Sequence, residues 1–117
     1  YEMSEIKEKS IIDKPWGNEE IIYISSKYCV KKLFLKHGEM CSYQYHNFKT
    51  ETITVLNGSM KLQIEDKFLT INAGDSYTIL PKKKHRMIAP DGDVTYIESS
   101  TPELDDIVRL EDKYSRK

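Results

Sequence analysis

Long apolar runs are missing from this chain, and so is any surplus of one charge. No stretch of about 18 apolar residues occurs, so no helix is available to cross a membrane. Lysine and arginine number 18 against 19 aspartates and glutamates, for a net charge of −1. A nucleic-acid-binding protein carries a clear positive excess, so no nucleic-acid partner is expected. Cysteine appears twice, at Cys29 and Cys41. Two are too few for the disulfide framework of a small secreted protein, so reduced thiols and a cytoplasmic location are expected. The start, Tyr1-Glu2-Met3-Ser4-Glu5, is acidic and has no apolar core, which is not the form of a signal peptide. Glycine is sparse, with five residues, and no Gly-rich nucleotide-binding stretch is among them. Nucleotidyl transfer is therefore not expected of these residues. Repeats and low-complexity linkers are absent too. Residues 1–117 are expected to form a single domain, long enough to bury roughly 65–70% of the unfolded surface.

What is present is short-period alternation. Met60, Leu62 and Ile64 alternate with Lys61, Gln63 and Glu65, the period of a half-buried strand. Asn57-Gly58 precedes that run and follows Ile53-Thr54-Val55-Leu56, and Asn-Gly accepts positive φ, so a tight hairpin is expected there. Further strands are expected at 20–25, 28–35, 68–71, 77–80 and 94–99. Turn signals recurring every 8–12 residues or so point to an all-β sandwich or barrel. No helical stretch lies between the strands, which disfavours a parallel α/β sheet. Residues 4–10 and 103–117 are the only helical or irregular pieces expected.

The chemistry concentrates in Gln44-x-His46-x4-Glu51, opened by Gly38 and closed by Gly58, with His85 downstream. Imidazole nitrogens and a carboxylate suit zinc and its neighbours. If His46 lies on a strand, Gln44 projects from the same face, because side chains two apart share a side. Glu51 shares the parity of Ile53 and Val55 and so points inward with them. An unpaired carboxylate there would be expensive to bury. Tyr43 and Tyr45 have the opposite parity and are expected to face away from the ligands. His37, beside Gly38, reads as an exposed turn residue, and Trp16 in Pro-Trp-Gly as a packing anchor. The run Lys82-Lys83-Lys84-His85-Arg86 reads equally as a funnel for an anionic substrate or as a solvated loop. The acidic group Glu103, Asp105, Asp106, Glu111 and Asp112 reads as a solvated tail into which Arg109 pairs.

Gly38-x5-Gln44-x-His46-x4-Glu51-x6-Gly58 resembles the first cupin motif, with glutamine in place of the first histidine. Gly74, eleven positions before His85, is similar to the start of the second. A narrower resemblance covers most of the chain. Lys14-Pro15-Trp16-Gly17, Ser42-Tyr43-Gln44-Tyr45-His46, Gly74-Asp75-Ser76, His85-Arg86, Ile97-Glu98 and Asp105-Asp106-Ile107-Val108-Arg109-Leu110-Glu111-Asp112-Lys113-Tyr114 occur in order. That series is similar to the type II mannose-6-phosphate isomerase cupin domain, where glutamine at the first metal position is usual. Departures occur at Leu80 and Pro81, where the motif's proline stands one position late, at Lys82 in place of glycine, and at Ala89 in place of asparagine. Lys49 and Ser115 also depart, replacing an arginine and a glycine. Lys82 cannot use glycine's positive φ cheaply, so the loop leading to His85 is expected to take a different path.

The resemblance implies a cupin double-stranded β-helix, a jelly-roll barrel, with its core at about 19–100 and a tail at 101–117. It implies a divalent metal held by Gln44, His46, Glu51 and His85, zinc first, with nickel, cobalt, manganese or iron also compatible. The weaker amide oxygen of Gln44 makes an iron oxygenase role less natural. The implied activity is interconversion of mannose 6-phosphate and fructose 6-phosphate through an enediol. Glu98 and Arg109 are the candidate catalytic residues, and Lys49, Arg86 and Arg109 the candidate substrate contacts. Rival readings are a non-catalytic sugar- or metal-binding cupin, a nucleotide-sugar isomerase or epimerase, and a dioxygenase. A homodimer is expected by the same resemblance. In that family the domain often follows a mannose-1-phosphate guanylyltransferase in one polypeptide, so a separate nucleotidyltransferase is a candidate partner.

Overall fold

The structure, a computed structural model, describes residues 10–113. Residues 4–9 and 114–117, parts of the two pieces expected to be helical or irregular, lie outside the described residues. Among the described residues there is no helix, and the strands run β1 Ser10–Lys14, β2 Gly17–Ile24, β3 Cys29–Leu35, β4 Tyr43–Tyr45, β5 Glu51–Asn57, β6 Ser59–Ile64, β7 Lys67–Asn72, β8 Ser76–Ile79, β9 His85–Ile88, β10 Val94–Ser100 and β11 Val108–Glu111. They form a six-stranded sheet in the order β1-β2-β3-β10-β5-β8 and a five-stranded sheet in the order β11-β4-β9-β6-β7. Every pairing is antiparallel. The all-β architecture expected from the alternation is what forms.

Strand alternation builds the core. On β5, Glu51, Ile53 and Val55 are buried while Thr52 and Thr54 are half-exposed. Outside, the Thr52 and Thr54 hydroxyls pair with Thr78 and Ser76 on β8, each at 2.8 Å. Inside, Ile53 and Val55 join Met60, Leu62 and Leu35, all fully buried. Each such side chain contributes about 1.5–3 kcal/mol over its exposed state. Trp16 is buried in the same core, as a packing anchor should be.

The hairpin expected at Asn57-Gly58 does not form. β5 pairs with β8 and β10, whereas β6 pairs with β7 and β9, so the step is a corner between sheets. The turn chemistry holds: Gly58 has φ +85°, and a Cβ on it would lie 2.3 Å from the Asp93 carbonyl oxygen. The misreading arises because a local turn signal says nothing about which strands lie alongside afterwards.

Residues 103–117 are not simply helical or irregular either. β11 closes the five-stranded sheet against β4, with Val108 opposite Tyr45 and Arg109 opposite Gln44. β4, with three residues, is too short to show a period, and β9 lies beyond the lysine run that obscures its alternation. The loop before β9 also differs from expectation. Lys82 adopts φ +69°, the conformation expected of glycine. The left-handed region costs an ordinary residue about 1–2 kcal/mol. The Lys82 amide donates to the His46 carbonyl at 2.6 Å, which ties this turn to the residue following β4.

Candidate metal centre

Three side chains from both sheets meet in the interior. Glu51 opens β5, His85 opens β9, and His46 follows immediately after β4 rather than lying within it. Their relative exposures are 1%, 0% and 2%. One ligand atom from each lies within 4.8 Å of the other two. Gln44 is the register partner of His85 across β4 and β9, so both side chains leave the same face of the sheet. Its amide oxygen accepts a hydrogen bond from the Ser42 hydroxyl at 2.5 Å.

The hydrogen bonds around the two rings fix their chemistry. His46 Nδ1 lies 2.5 Å from the Asp106 carbonyl oxygen, and His85 Nδ1 lies 2.8 Å from that of Lys83. A carbonyl only accepts, so each Nδ1 carries hydrogen, and in the neutral ring each Nε2 presents a lone pair. Burial holds the His85 imidazole below its ordinary pKa, favouring that neutral form, although Glu51 opposes the shift. His46 Nε2 is 2.8 Å from Glu51 Oε1, and His85 Nε2 is 3.8 Å from the same oxygen. Neither approach has hydrogen-bond geometry: both Nε2 atoms and both Glu51 oxygens are buried without a hydrogen-bond partner. Bare acceptors turned toward one another are costly in a dry interior. A divalent cation is the species this donor set fits, and the carbonyls on Nδ1 are the outer partners that metal-bound histidines use.

A second layer of charge surrounds the triad. Lys49 Nζ lies 3.8 Å from Glu51 Oε1 and 3.4 Å from Glu98 Oε2. Burial works against the Lys49 ammonium, but Glu98 and Glu51 outweigh it and raise its pKa. Burial likewise disfavours the Glu51 carboxylate, and the Lys49 ammonium is the charge that offsets it. At Glu98 burial prevails and, with repulsion from Glu51, pushes the carboxyl up to about 7. Beyond this layer opens a cavity of about 310 Å³, bordered by Gln44, His46, Lys49, Tyr96, Glu98 and Arg109 among others.

Most of the residues singled out in the sequence therefore border one space, and Arg86 does not. It follows His85 on β9 and so points to the opposite face, where its Nε donates to the Cys41 carbonyl at 2.8 Å and its guanidinium to the Glu111 carbonyl at 3.0 Å. Lys82, Lys83 and Lys84 are exposed, and Lys83 borders a separate cavity beside Ile64, Leu69 and Tyr77. The cationic run is thus a solvated loop rather than a funnel to this site. Two contributors escaped the sequence. Tyr96 shares the inward parity of Val94 and Glu98 on β10, a signal that was there to find. Asp106, read as part of a solvated tail, instead accepts from the amides of Asn47, Phe48 and Lys49. Against a desolvation that would raise it, those three hydrogen bonds hold its carboxyl below the ordinary range. No local pattern announces contacts spanning 57 to 59 positions.

The sequence profile of a family described as mannose-6-phosphate isomerase C-terminal matches residues 2–112. The mannose-1-phosphate guanylyltransferase ManC of Salmonella typhimurium is 31% identical over 107 residues, which are 88% of this chain and 22% of that protein. The alginate biosynthesis protein AlgA of Pseudomonas aeruginosa is 28% identical over 117 residues, covering 97% of this chain and 24% of that protein. The chain thus spans about a quarter or less of the length of these relatives. Among solved structures, an RmlC-like cupin from Shewanella frigidimarina superposes with a TM-score of 0.76 at 17% identity, over 90% of this chain and 94% of that one. KdgF from Halomonas gives 0.75 at 16% identity, over 82% and 88%. These likenesses show the cupin double-stranded β-helix.

Proposed function

The chain belongs to the mannose-6-phosphate isomerase C-terminal family, and from that membership we propose a metal-dependent isomerase that interconverts mannose 6-phosphate and fructose 6-phosphate. The observation that carries the reading is the set of bare, buried acceptors on His46, Glu51 and His85, lying beside a cavity large enough for a small sugar phosphate. His46, Glu51 and His85, with Gln44 beside them, would hold a divalent ion, zinc first by donor type, which supplies Lewis-acid polarisation of a sugar oxygen.

The chain's own groups divide the remaining work. Moving a proton between C1 and C2 needs an acid–base group poised near neutrality. Glu98, raised to about 7 and bordering the cavity, meets that requirement and is assigned the transfer. Lys49 donates to Glu98 Oε2 at 3.4 Å and orients that carboxyl, so its ammonium serves Glu98 more than the substrate. Arg109, on β11 opposite Gln44, is assigned the phosphate, which a guanidinium binds through paired hydrogen bonds. Core side chains such as Tyr96 and Leu33 close the inner wall and keep water from the enediol.

The test is incubation of the metal-loaded chain with fructose 6-phosphate, followed by NMR. Mannose 6-phosphate should accumulate with wild type and not with Glu51→Ala. Loaded wild-type protein that forms none would overturn the assignment. Relatives named mannose-1-phosphate guanylyltransferases are over four times longer, and a nucleotidyltransferase unit is proposed to work beside this domain. A homodimer is proposed as well. Exposed Ile11, Ile12, Ile22, Tyr23 and Ile24 on β1 and β2, at one edge of the six-stranded sheet, support it.

A further inference from the structure

Asp106 makes four hydrogen bonds to four consecutive residues. Its Oδ1 accepts from the Asn47 amide at 2.9 Å, and its Oδ2 accepts from the Phe48 amide at 2.6 Å and the Lys49 amide at 2.9 Å. Its backbone carbonyl takes the Nδ1 hydrogen of His46 at 2.5 Å. Residues 46–49 are all but one of the residues that join β4 to β5, and without Asp106 the three successive amides would form a nest of unpaired donors. A carboxylate with two acceptor oxygens answers that nest from the side, which no neighbouring backbone carbonyl does. The same residue then delivers its carbonyl to the ring behind it. Short-range structure cannot account for this, because the two segments are separated by 57 to 60 positions.

We propose that Asp106 is a positioning residue for the metal centre: it clasps the turn carrying His46 and locks that imidazole as the Nδ1–H tautomer, leaving Nε2 bare toward Glu51. The inference rests on the reading of His46, Glu51 and His85 as metal ligands. It gives the segment after β10 a role beyond closing the sheet, since the clasp sits just ahead of β11 and Arg109. Asp106 touches neither the ligand atoms nor the cavity; it acts through His46. Partners of this kind change metal affinity by about 10- to 100-fold when removed.

Two variants separate positioning from mere folding. Asp106→Ala removes both carboxylate oxygens and keeps the backbone carbonyl, which without the clasp on residues 47–49 is no longer held against His46 Nδ1. Asp106→Asn keeps one and sets an amide N–H against a backbone N–H. Zinc affinity, read by competition with a chromophoric chelator, should fall about 10- to 100-fold in Asp106→Ala and less in Asp106→Asn. Nitrogen NMR of the histidine rings in metal-free protein should show a single Nδ1–H tautomer for His46 in wild type and a mixture in Asp106→Ala. Wild-type affinity together with an unchanged tautomer in Asp106→Ala would overturn the inference. If Asp106→Ala does not fold, Asp106→Asn answers the same two measurements. If wild type takes up none of zinc, nickel, cobalt, manganese and iron, the metal reading fails by itself, and the tautomer of His46 still decides the role of Asp106.

Discussion

Replacing Glu51 with glutamine should stabilise the metal-free protein while abolishing its response to metal. In the metal-free state the carboxylate presents two buried oxygens with no hydrogen-bond partner, and His46 Nε2 is equally bare 2.8 Å away. An amide of the same shape can turn its NH₂ to that nitrogen and convert two opposed acceptors into a donor and an acceptor. Relieving a buried unsatisfied group is worth about 1–3 kcal/mol. The loss on the other side is small, because Lys49 gives up a partner at 3.8 Å and keeps Glu98 at 3.4 Å. Removing the Glu51 charge also relieves its repulsion of Glu98, leaving that carboxyl freer to pair with Lys49. For a domain of this size, 1 kcal/mol moves the melting temperature by about 4 °C, so Glu51→Gln should melt about 4–12 °C above wild type in chelator. Zinc at a hundred times its dissociation constant should then raise wild type by about 2.7 kcal/mol and leave the variant where it was. Calorimetry in EDTA and in zinc reads both effects. A variant that melts at or below wild type in EDTA would refute the reasoning, because the Glu51 oxygens would then already be satisfied.

Glu98 makes a pH prediction. Its carboxyl is raised from 4.5 to about 7, so between those values the metal-free fold holds a proton that the unfolded chain releases. The linked stability is full below about pH 4.5 and is lost as pH rises through 7. Denaturant titrations should therefore find Glu98→Gln gaining on wild type between about pH 5 and 8, and parallel curves would count against the raised carboxyl. Gly58→Ala should cost clearly more than Gly38→Ala. Both glycines have φ +85°, but only at Gly58 would a Cβ meet a backbone oxygen, at 2.3 Å, with nothing within 4 Å at Gly38. Urea midpoints should separate them by about 1–3 kcal/mol, and equal losses would contradict the corner packing. Analytical ultracentrifugation should find a dimer that Ile11→Lys with Ile22→Lys converts to monomer, and a monomeric wild type would remove that proposal.

Much of the site was legible in the sequence because strand parity is a local rule. Glu51 goes where Ile53 and Val55 go, so one apolar alternation was enough to place a carboxylate indoors. Gln44 and His85 were placed by motif spacing, and the register across β4 and β9 brings them opposite one another. What was illegible was pairing at a distance. Asn57-Gly58 announced a turn truthfully but could not announce that the chain changes sheets there. The Asp105-Asp106 pair looked like solvated charge because its three amide partners lie beyond any window of sequence. Arg86 looked useful for its charge, yet the same parity that buries His85 sends its neighbour outward. Lys82 shows the limit of a propensity rule. A hydrogen bond from its amide to the His46 carbonyl ties down, in an exposed turn, a conformation the residue type disfavours.

The central claim is that the buried triad is a metal centre, and metal content tests it most directly. Protein purified without added metal or chelator should carry close to one divalent ion per chain by elemental analysis. Glu51→Ala prepared in parallel, and checked for its fold by circular dichroism, should carry less than about a tenth of that, in line with the outsized role of a charged ligand. Wild-type protein that stays empty after incubation with zinc, nickel, cobalt, manganese and iron in turn would contradict the account. So would metal bound equally well by the variant.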